Sequence, residues 1–240
     1  MLIPAMHTIT VHRAGTRFFT DAGWLQSHHS FNFGPHYSPD HQGHGLLLVN
    51  TDDVVAPGQG FGTHGHRDME IVTWVLAGRL EHRDSEGNHG ILYPGLAQRM
   101  SAGTGIRHSE YNASPDEPVH FLQMWVPPHS AGMAPGYEQR DLNDALAAGG
   151  LVPIASGQGH SGAIAINQRD AVLWGGRLRP DEVVRLPDAP HVHVFVATGH
   201  GSLAEAGALD AGDAARLTQA GTLAFTAGAE GAELSVWATA

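Results

Sequence analysis

Hydrophobic residues in this chain come in short runs, and many alternate with polar ones. Leu46–Asn50, Ile71–Leu76, His120–Val126, Ala163–Asn167, Ala171–Trp174, His191–Ala197 and Leu234–Trp237 have the length and patterning of strands and not of helices. Turn residues punctuate them at strand spacing, as in Glu86-Gly87-Asn88, Tyr93-Pro94-Gly95 and Ala102-Gly103. Repeated short strands with such punctuation predict an all-β sandwich or barrel. One segment, Asp141–Ala148, predicts a helix, with Asp141 as N-cap and Gly149-Gly150 as its stop. It follows Pro127, Pro128 and Pro135, and a domain boundary is expected between about residues 128 and 150. Both halves read as strands, as a duplicated β-domain would, although the halves share little sequence.

Composition narrows the functions open to such a fold. The chain has 240 residues, 42% hydrophobic and 15% charged, which suits one large or two small folded domains. Its net charge of −11, with 13 Lys and Arg and no run of them, disfavours nucleic acid and anionic membrane as direct partners. The 18 histidines would offset much of that charge in mild acid. With no cysteine, disulfide frameworks, thiolate zinc sites and cysteine nucleophiles are excluded. Met1–Gly15 carries His7, His12 and Arg13 without a long apolar run and does not read as a signal peptide. No stretch of about 18 apolar residues occurs, so no membrane span is expected and the cytoplasm is the default location.

Two segments carry candidate chemistry. Gly58–Gly78 reads GQGFGTHGHRDMEIVTWVLAG and Ser101–Asn112 reads SAGTGIRHSEYN. His64 and His66 are two apart, as are His108 and Glu110, and residues two apart share one face of a strand. Two such pairs on facing strands would converge three nitrogens and one carboxylate oxygen. Gly60, Gly62 and Gly65 permit bends and close backbone approach beside them. That donor set suits a borderline divalent metal such as Fe, Mn, Co, Ni, Cu or Zn, and on an octahedral ion it leaves two positions open for catalysis.

These residues also carry a resemblance. GTHGHRDMEIVTWVLAGRLEHRDS, MSAGTGIRHSEYN, GYEQR at Gly136–Arg140 and the upstream GWLQSHHSFNFGPHYSP resemble the pirin family of the cupin superfamily, in particular its bacterial quercetin 2,3-dioxygenase-like members. The likeness covers residues 10–140 and is loose over 150–240. It implies a bicupin of two β-barrel, jelly-roll-like domains joined by a short helical linker: residues 1–135 binding metal and 136–240 a degenerate cupin without it. It further implies His64, His66, His108 and Glu110 as ligands of one divalent transition metal, iron first by cellular supply. Glu70, which the general cupin motif would offer, is then structural or supports the ligands from behind.

The activity implied is a dioxygenase that opens a flavonol such as quercetin with O2 to a depside and carbon monoxide. Glu110 would take the substrate's hydroxyl proton, and Phe61, Met69, Leu122 or Trp125 would line an apolar pocket. The alternative is a metal- or redox-sensing regulator that binds a protein partner; a third reading is a structural metal-holding cupin without turnover. Other motifs are set aside. Gly157–Gly162 matches G-x-G-x-x-G, but strand-like sequence follows it where a dinucleotide site needs a helix. His191 and His193 lack a His-x-Glu partner and read as a degenerate cupin strand. His28, His29, His36, His41 and His44 read as loop residues near a pocket opening. Ser109 points away from its neighbours and has no base.

Overall fold

A computed structural model of the chain describes residues 7–240. Residues 1–6, part of the segment read above for a leader, lie outside the described residues. In chain order the strands are β1 (Thr8–His12), β2 (Phe18–Asp21), β3 (Leu25–His29), β4 (Val49–Val55), β5 (Gly60–His66), β6 (Glu70–Ala77) and β7 (Leu80–Asp84). Then come β8 (His89–Leu92), β9 (Leu96–Ser101), β10 (Ile106–Asn112), β11 (Val119–Val126) and β12 (Gly136–Asp141), followed by one helix, α1 (Asn143–Ala147). The second half holds β13 (Val152–Ser156), β14 (Ile164–Ala165), β15 (Ala171–Leu178), β16 (Val183–Arg185), β17 (His191–Leu203), β18 (Gly207–Asp210), β19 (Ala214–Thr218) and β20 (Ala224–Thr239).

The strands form three sheets. A seven-stranded sheet runs β12-β9-β6-β11-β4-β3-β2, and a four-stranded sheet runs β5-β10-β7-β8. A nine-stranded sheet runs β1-β19-β17-β20-β15-β13-β14, with β16 added on β20 and β18 on β17. The chain's first strand therefore pairs with the second half, while β12 pairs with β9 of the first half.

The all-β, two-domain expectation stands, but the two β-barrels do not: among the described residues every sheet is open. Closure needs backbone pairing to continue through each strand around the ring. Here β12 and β2 end one sheet, and β5 and β8 end the other, without pairing to close. In the second half the long strands β17 and β20 bend at bulges between Val196 and Thr198 and between Gly199 and Gly201, folding one sheet over without sealing it. The expected helical linker shrinks likewise. Of Asp141–Ala148, only Asn143–Ala147 is helical, with Leu142 at the N-cap position. Asp141 instead ends β12, and its carboxylate accepts from the backbone N–H of Asn143 at 2.8 Å. Among the described residues no helix is long and apolar enough to cross a membrane.

Strand alternation assigns the two faces of the seven-stranded sheet. On β11, Leu122, Met124 and Val126 pack with Val72 and Trp74 against Phe195, Leu173 and Trp237, making one core between the halves. The other face carries Val55, Val75, Val119 and Phe121, which pack against Leu80 and Leu92 of the four-stranded sheet. Gln123 and Trp125 lie on this second face, beside a cavity of about 460 Å³. The cavity's walls come from β2, β3, β4 and β11 on one side and from the edge strand β5 with β10 on the other. It lies where the pairing that closes a barrel would run.

Candidate metal centre

His64 and His66 lie on β5, and His108 and Glu110 on β10, as their spacing predicts. The two strands are hydrogen-bonded neighbours in one sheet, not strands facing each other across a core. His108 stands opposite His64 and Ile106 opposite His66, so three imidazoles gather on one patch. Gly60 is what lets β5 pass this close. A Cβ there would sit 2.2 Å from the Glu110 carbonyl oxygen and 2.5 Å from Tyr111 Cα, a clash that any side chain would have to relieve by moving the strand. Gly62 and Gly65 meet no such obstacle.

Potential ligand atoms of His64, His66 and His108 lie within 4.8 Å of one another. His66 Nε2 and His108 Nε2 are 3.0 Å apart. Glu110 falls in a second, overlapping group with His108 and His82, again within 4.8 Å. A register shift between His108 and Glu110 places Glu110 opposite Phe61, so the carboxylate is offset from the level that strict alternation would give.

Burial keeps two of these rings unprotonated and free to act as ligands. Burial, then the neighbouring imidazoles of His108 and His64, pushes His66 down to about 4. Burial and the neighbours His64 and His82 push His108 down to about 3. Both rings are neutral near pH 7 and offer lone pairs. His64 Nδ1 is 2.8 Å from the Gly62 carbonyl oxygen, which orients Nε2 away from the backbone. Buried Glu110 accepts from Gln123 Nε2 through Oε2 at 2.8 Å, while its Oε1 is buried with no partner. An unpaired buried carboxylate oxygen costs free energy unless something positive meets it. The imidazoles of His64, His66 and His108, with this carboxylate grouped on His108, are a donor set that fits a divalent transition metal.

Behind the cluster stands a chain that sequence reasoning missed. His108 Nδ1 is 3.4 Å from His82 Nδ1, and His82 Nε2 is 3.1 Å from Asp84 Oδ2. Tyr137 stacks on the His82 ring at 4.9 Å. His82 and Asp84 are themselves two apart on β7, the neighbour of β10, so the same spacing rule applied to LEHRD would have found them.

Glu70 is elsewhere. Its carboxylate accepts from Ser101 Oγ at 2.8 Å, from the Asn167 backbone N–H at 2.9 Å and from Asn167 Nδ2 at 3.3 Å. It joins β6 to β9 and to the second half of the chain, where the expected strand Ala163–Asn167 is only Ile164–Ala165, β14. Of the expected pocket residues, Phe61 and Trp125 line the cavity. Leu122 lies on the opposite face of β11, in the core between the halves, and Met69 packs on a separate cluster with Ile71 and Met100. His29, read as a loop residue, ends β3 and lines the cavity. His193 is buried, with Nε2 unpartnered. Among the described residues no ligand cluster forms around it. Gly157–Gly162 joins two strands and opens no helix.

Comparison with known proteins places the chain among relatives. Residues 11–126 match the family model described as Pirin, and residues 153–235 the model described as Quercetinase C-terminal cupin domain. A Mycobacterium tuberculosis protein named "Putative quercetin 2,3-dioxygenase Rv0181c" is 53% identical over 231 residues, covering 96% of this chain and 94% of that protein. An Escherichia coli protein named quercetin 2,3-dioxygenase is 44% identical over 174 residues, 72% of this chain and 74% of its own length. The crystal structure of the bacterial pirin YhhW from Escherichia coli in complex with nickel(II) superposes with a TM-score of 0.88 at 35% identity, covering 96% of this chain and 98% of that one.

Proposed function

The chain belongs to the pirin family, and from that premise we propose that it is a metal-dependent dioxygenase that opens a flavonol such as quercetin with O2. The observation that carries the reading is the opening of the His64, His66 and Glu110 side chains into an aromatic-walled cavity of about 460 Å³. That volume lies within the ~300–1,000 Å³ usual for small-ligand sites. Trp24, Phe33, Phe61 and Trp125 give it flat apolar walls, which suit a flat ring system.

His64, His66, His108 and Glu110 are the proposed ligands of one divalent metal, with iron proposed first. Three imidazoles and a carboxylate do not by themselves choose among Fe, Cu, Mn, Ni, Co and Zn. Once bound, the metal supplies Lewis acidity toward the enolic oxygen of the flavonol. Glu110 is the proposed general base that takes the flavonol hydroxyl proton. Gln123 holds the other oxygen of Glu110, and Trp125 Nε1 in turn donates to Gln123 Oε1 at 3.2 Å, so the carboxylate is oriented from the cavity wall. The implied products are a depside and carbon monoxide.

The test is direct. Purified protein, with its metal content measured, is given quercetin and O2, and the flavonol absorbance band and released carbon monoxide are followed. Loss of the band with matching gas release is expected. Absence of turnover with Fe, Mn, Ni, Co and Cu alike would overturn the dioxygenase reading.

A further inference from the structure

The cavity has a second polar feature, on the wall opposite the histidines. Asp53 lies on β4 between Val49 and Val55, all three on the face that packs toward the four-stranded sheet. It is 5% exposed, an unusual place for a carboxyl group. Ser27 Oγ donates to Asp53 Oδ1, and Thr51 Oγ1 donates to Asp53 Oδ2 at 2.8 Å. Ser27 is the cross-strand neighbour of Asp53, and Thr51 the residue two before it. All three line the cavity. Among the described residues no Lys or Arg pairs with this carboxyl, so it is not half of a salt bridge.

The chemistry of this trio is one-sided. Two hydroxyls and a carboxyl offer roughly eight acceptor positions and bring two protons when Asp53 is ionised, or three when it is not. Both observed hydrogen bonds already spend the hydroxyl protons on Asp53. With Asp53 ionised both protons are spent and only acceptor lone pairs are left over; with Asp53 protonated its own O–H is left over beside them. Such a cluster pairs with a ligand's hydroxyl groups, which both accept and donate, and in its ionised form it repels carboxylates and phosphates. In an aromatic-walled pocket the ligand O–H that meets it is carried on a ring.

We infer that Ser27, Thr51 and Asp53 form a specificity subsite that recognises phenolic hydroxyls of the substrate, on the part of the ring system not engaged at the histidine cluster. This deepens the dioxygenase reading and rests on it for the identity of the ligand. A site built to pair a substrate hydroxyl disfavours the analogue lacking it, because its own buried polar groups are then left unmatched. The pocket therefore selects polyhydroxylated flavonols over the bare ring system.

Metal-loaded protein is compared on quercetin and on 3-hydroxyflavone, which keeps the enolic hydroxyl and loses the others. The wild type is expected to prefer quercetin by at least tenfold in kcat/KM, mostly through KM. In Ser27→Ala and Asp53→Asn that preference collapses toward unity, through a rise in KM for quercetin. Binding is read in parallel without turnover, under anaerobic conditions, from quenching of tryptophan fluorescence by each flavonol. Circular dichroism identifies any variant that fails to fold, and Ser27→Ala is the milder of the two. An unchanged preference in a folded variant, or a wild type with none, overturns the subsite. If neither flavonol is turned over, the dioxygenase reading fails, while anaerobic binding still decides the subsite.

Discussion

The Nε2 atoms of His66 and His108 face each other at 3.0 Å across the β5–β10 pair, and burial holds both rings neutral. Two neutral imidazoles share at most one proton between them, so a hydrogen bond settles only one lone pair. A cation coordinated by both settles each. His108 is also the member common to the two ligand groups. His108→Ala is therefore expected to weaken metal binding by at least the ~10-fold that loss of a mere supporting contact costs. Metal analysis after dialysis against a weak chelator checks this, and wild-type metal content in the variant would remove His108 from the site.

His82 and Asp84 are expected to act on the metal through His108. The Asp84–His82–His108 chain fixes the orientation of the ligand ring, and such supporting contacts are typically worth about 10–100-fold in metal affinity. His82→Ala and Asp84→Asn should each lower affinity within that range while leaving secondary structure intact. Competition with a chromogenic chelator measures it. Unaltered affinity in both variants would show that packing alone holds His108 in place.

Glu70 has the opposite profile. It is 1% exposed and accepts from Ser101 and Asn167, tying the halves of the chain together. Removing it strands their donors in a buried setting. Glu70→Ala is expected to cost on the order of 3 kcal/mol of stability and to leave metal stoichiometry unchanged. Denaturant unfolding with parallel metal analysis separates this from a ligand, whose loss would lower metal content first.

These three cases show how far the chain could be read. His64, His66, His108 and Glu110 stood out because alternation is a local rule, and each pair sits within one strand. Which strands neighbour each other is a long-range matter. Sequence placed the pairs on facing strands, whereas β5 and β10 are adjacent, and the bulge that offsets Glu110 leaves no mark in SEYN. Closure failed to show for the same reason, since it depends on whether β5 meets an edge of the other sheet. Leu122 and Trp125 were both read as pocket residues because an apolar strand with two buried faces does not say which one meets solvent. Asp53 was legible and overlooked, since TDDVV places it on the face of Val55. Asn167, reaching Glu70 across 97 positions, was not.

Asp53 also gives the protein a pH signature. Burial, reinforced by the nearby charges of Asp52 and Glu110 against the hydrogen bonds of Ser27 and Thr51, pushes its carboxyl from 3.8 up to about 7. Between about pH 4 and 7 the folded protein holds a proton that the unfolded chain has released. Stability from this group is thus fully present below pH 4 and is lost as pH rises through 7. Buried His29 and the partly buried His12 and His44, each lowered to about 4 mainly by desolvation, work the other way and raise stability from pH 4 to 6.5. A wild-type profile alone mixes the two. Asp53→Asn removes one and leaves the other, so the difference between the proteins isolates the carboxyl. The Asp53→Asn variant is expected to gain stability relative to wild type by a margin that grows from near zero at pH 4 to about 4 kcal/mol at pH 8, as the rise from 3.8 to about 7 implies. Denaturant unfolding at pH 4, 5, 6, 7 and 8 measures it. A difference flat across that range would mean that Asp53 is ionised throughout, with its charge met by a group other than Ser27 and Thr51.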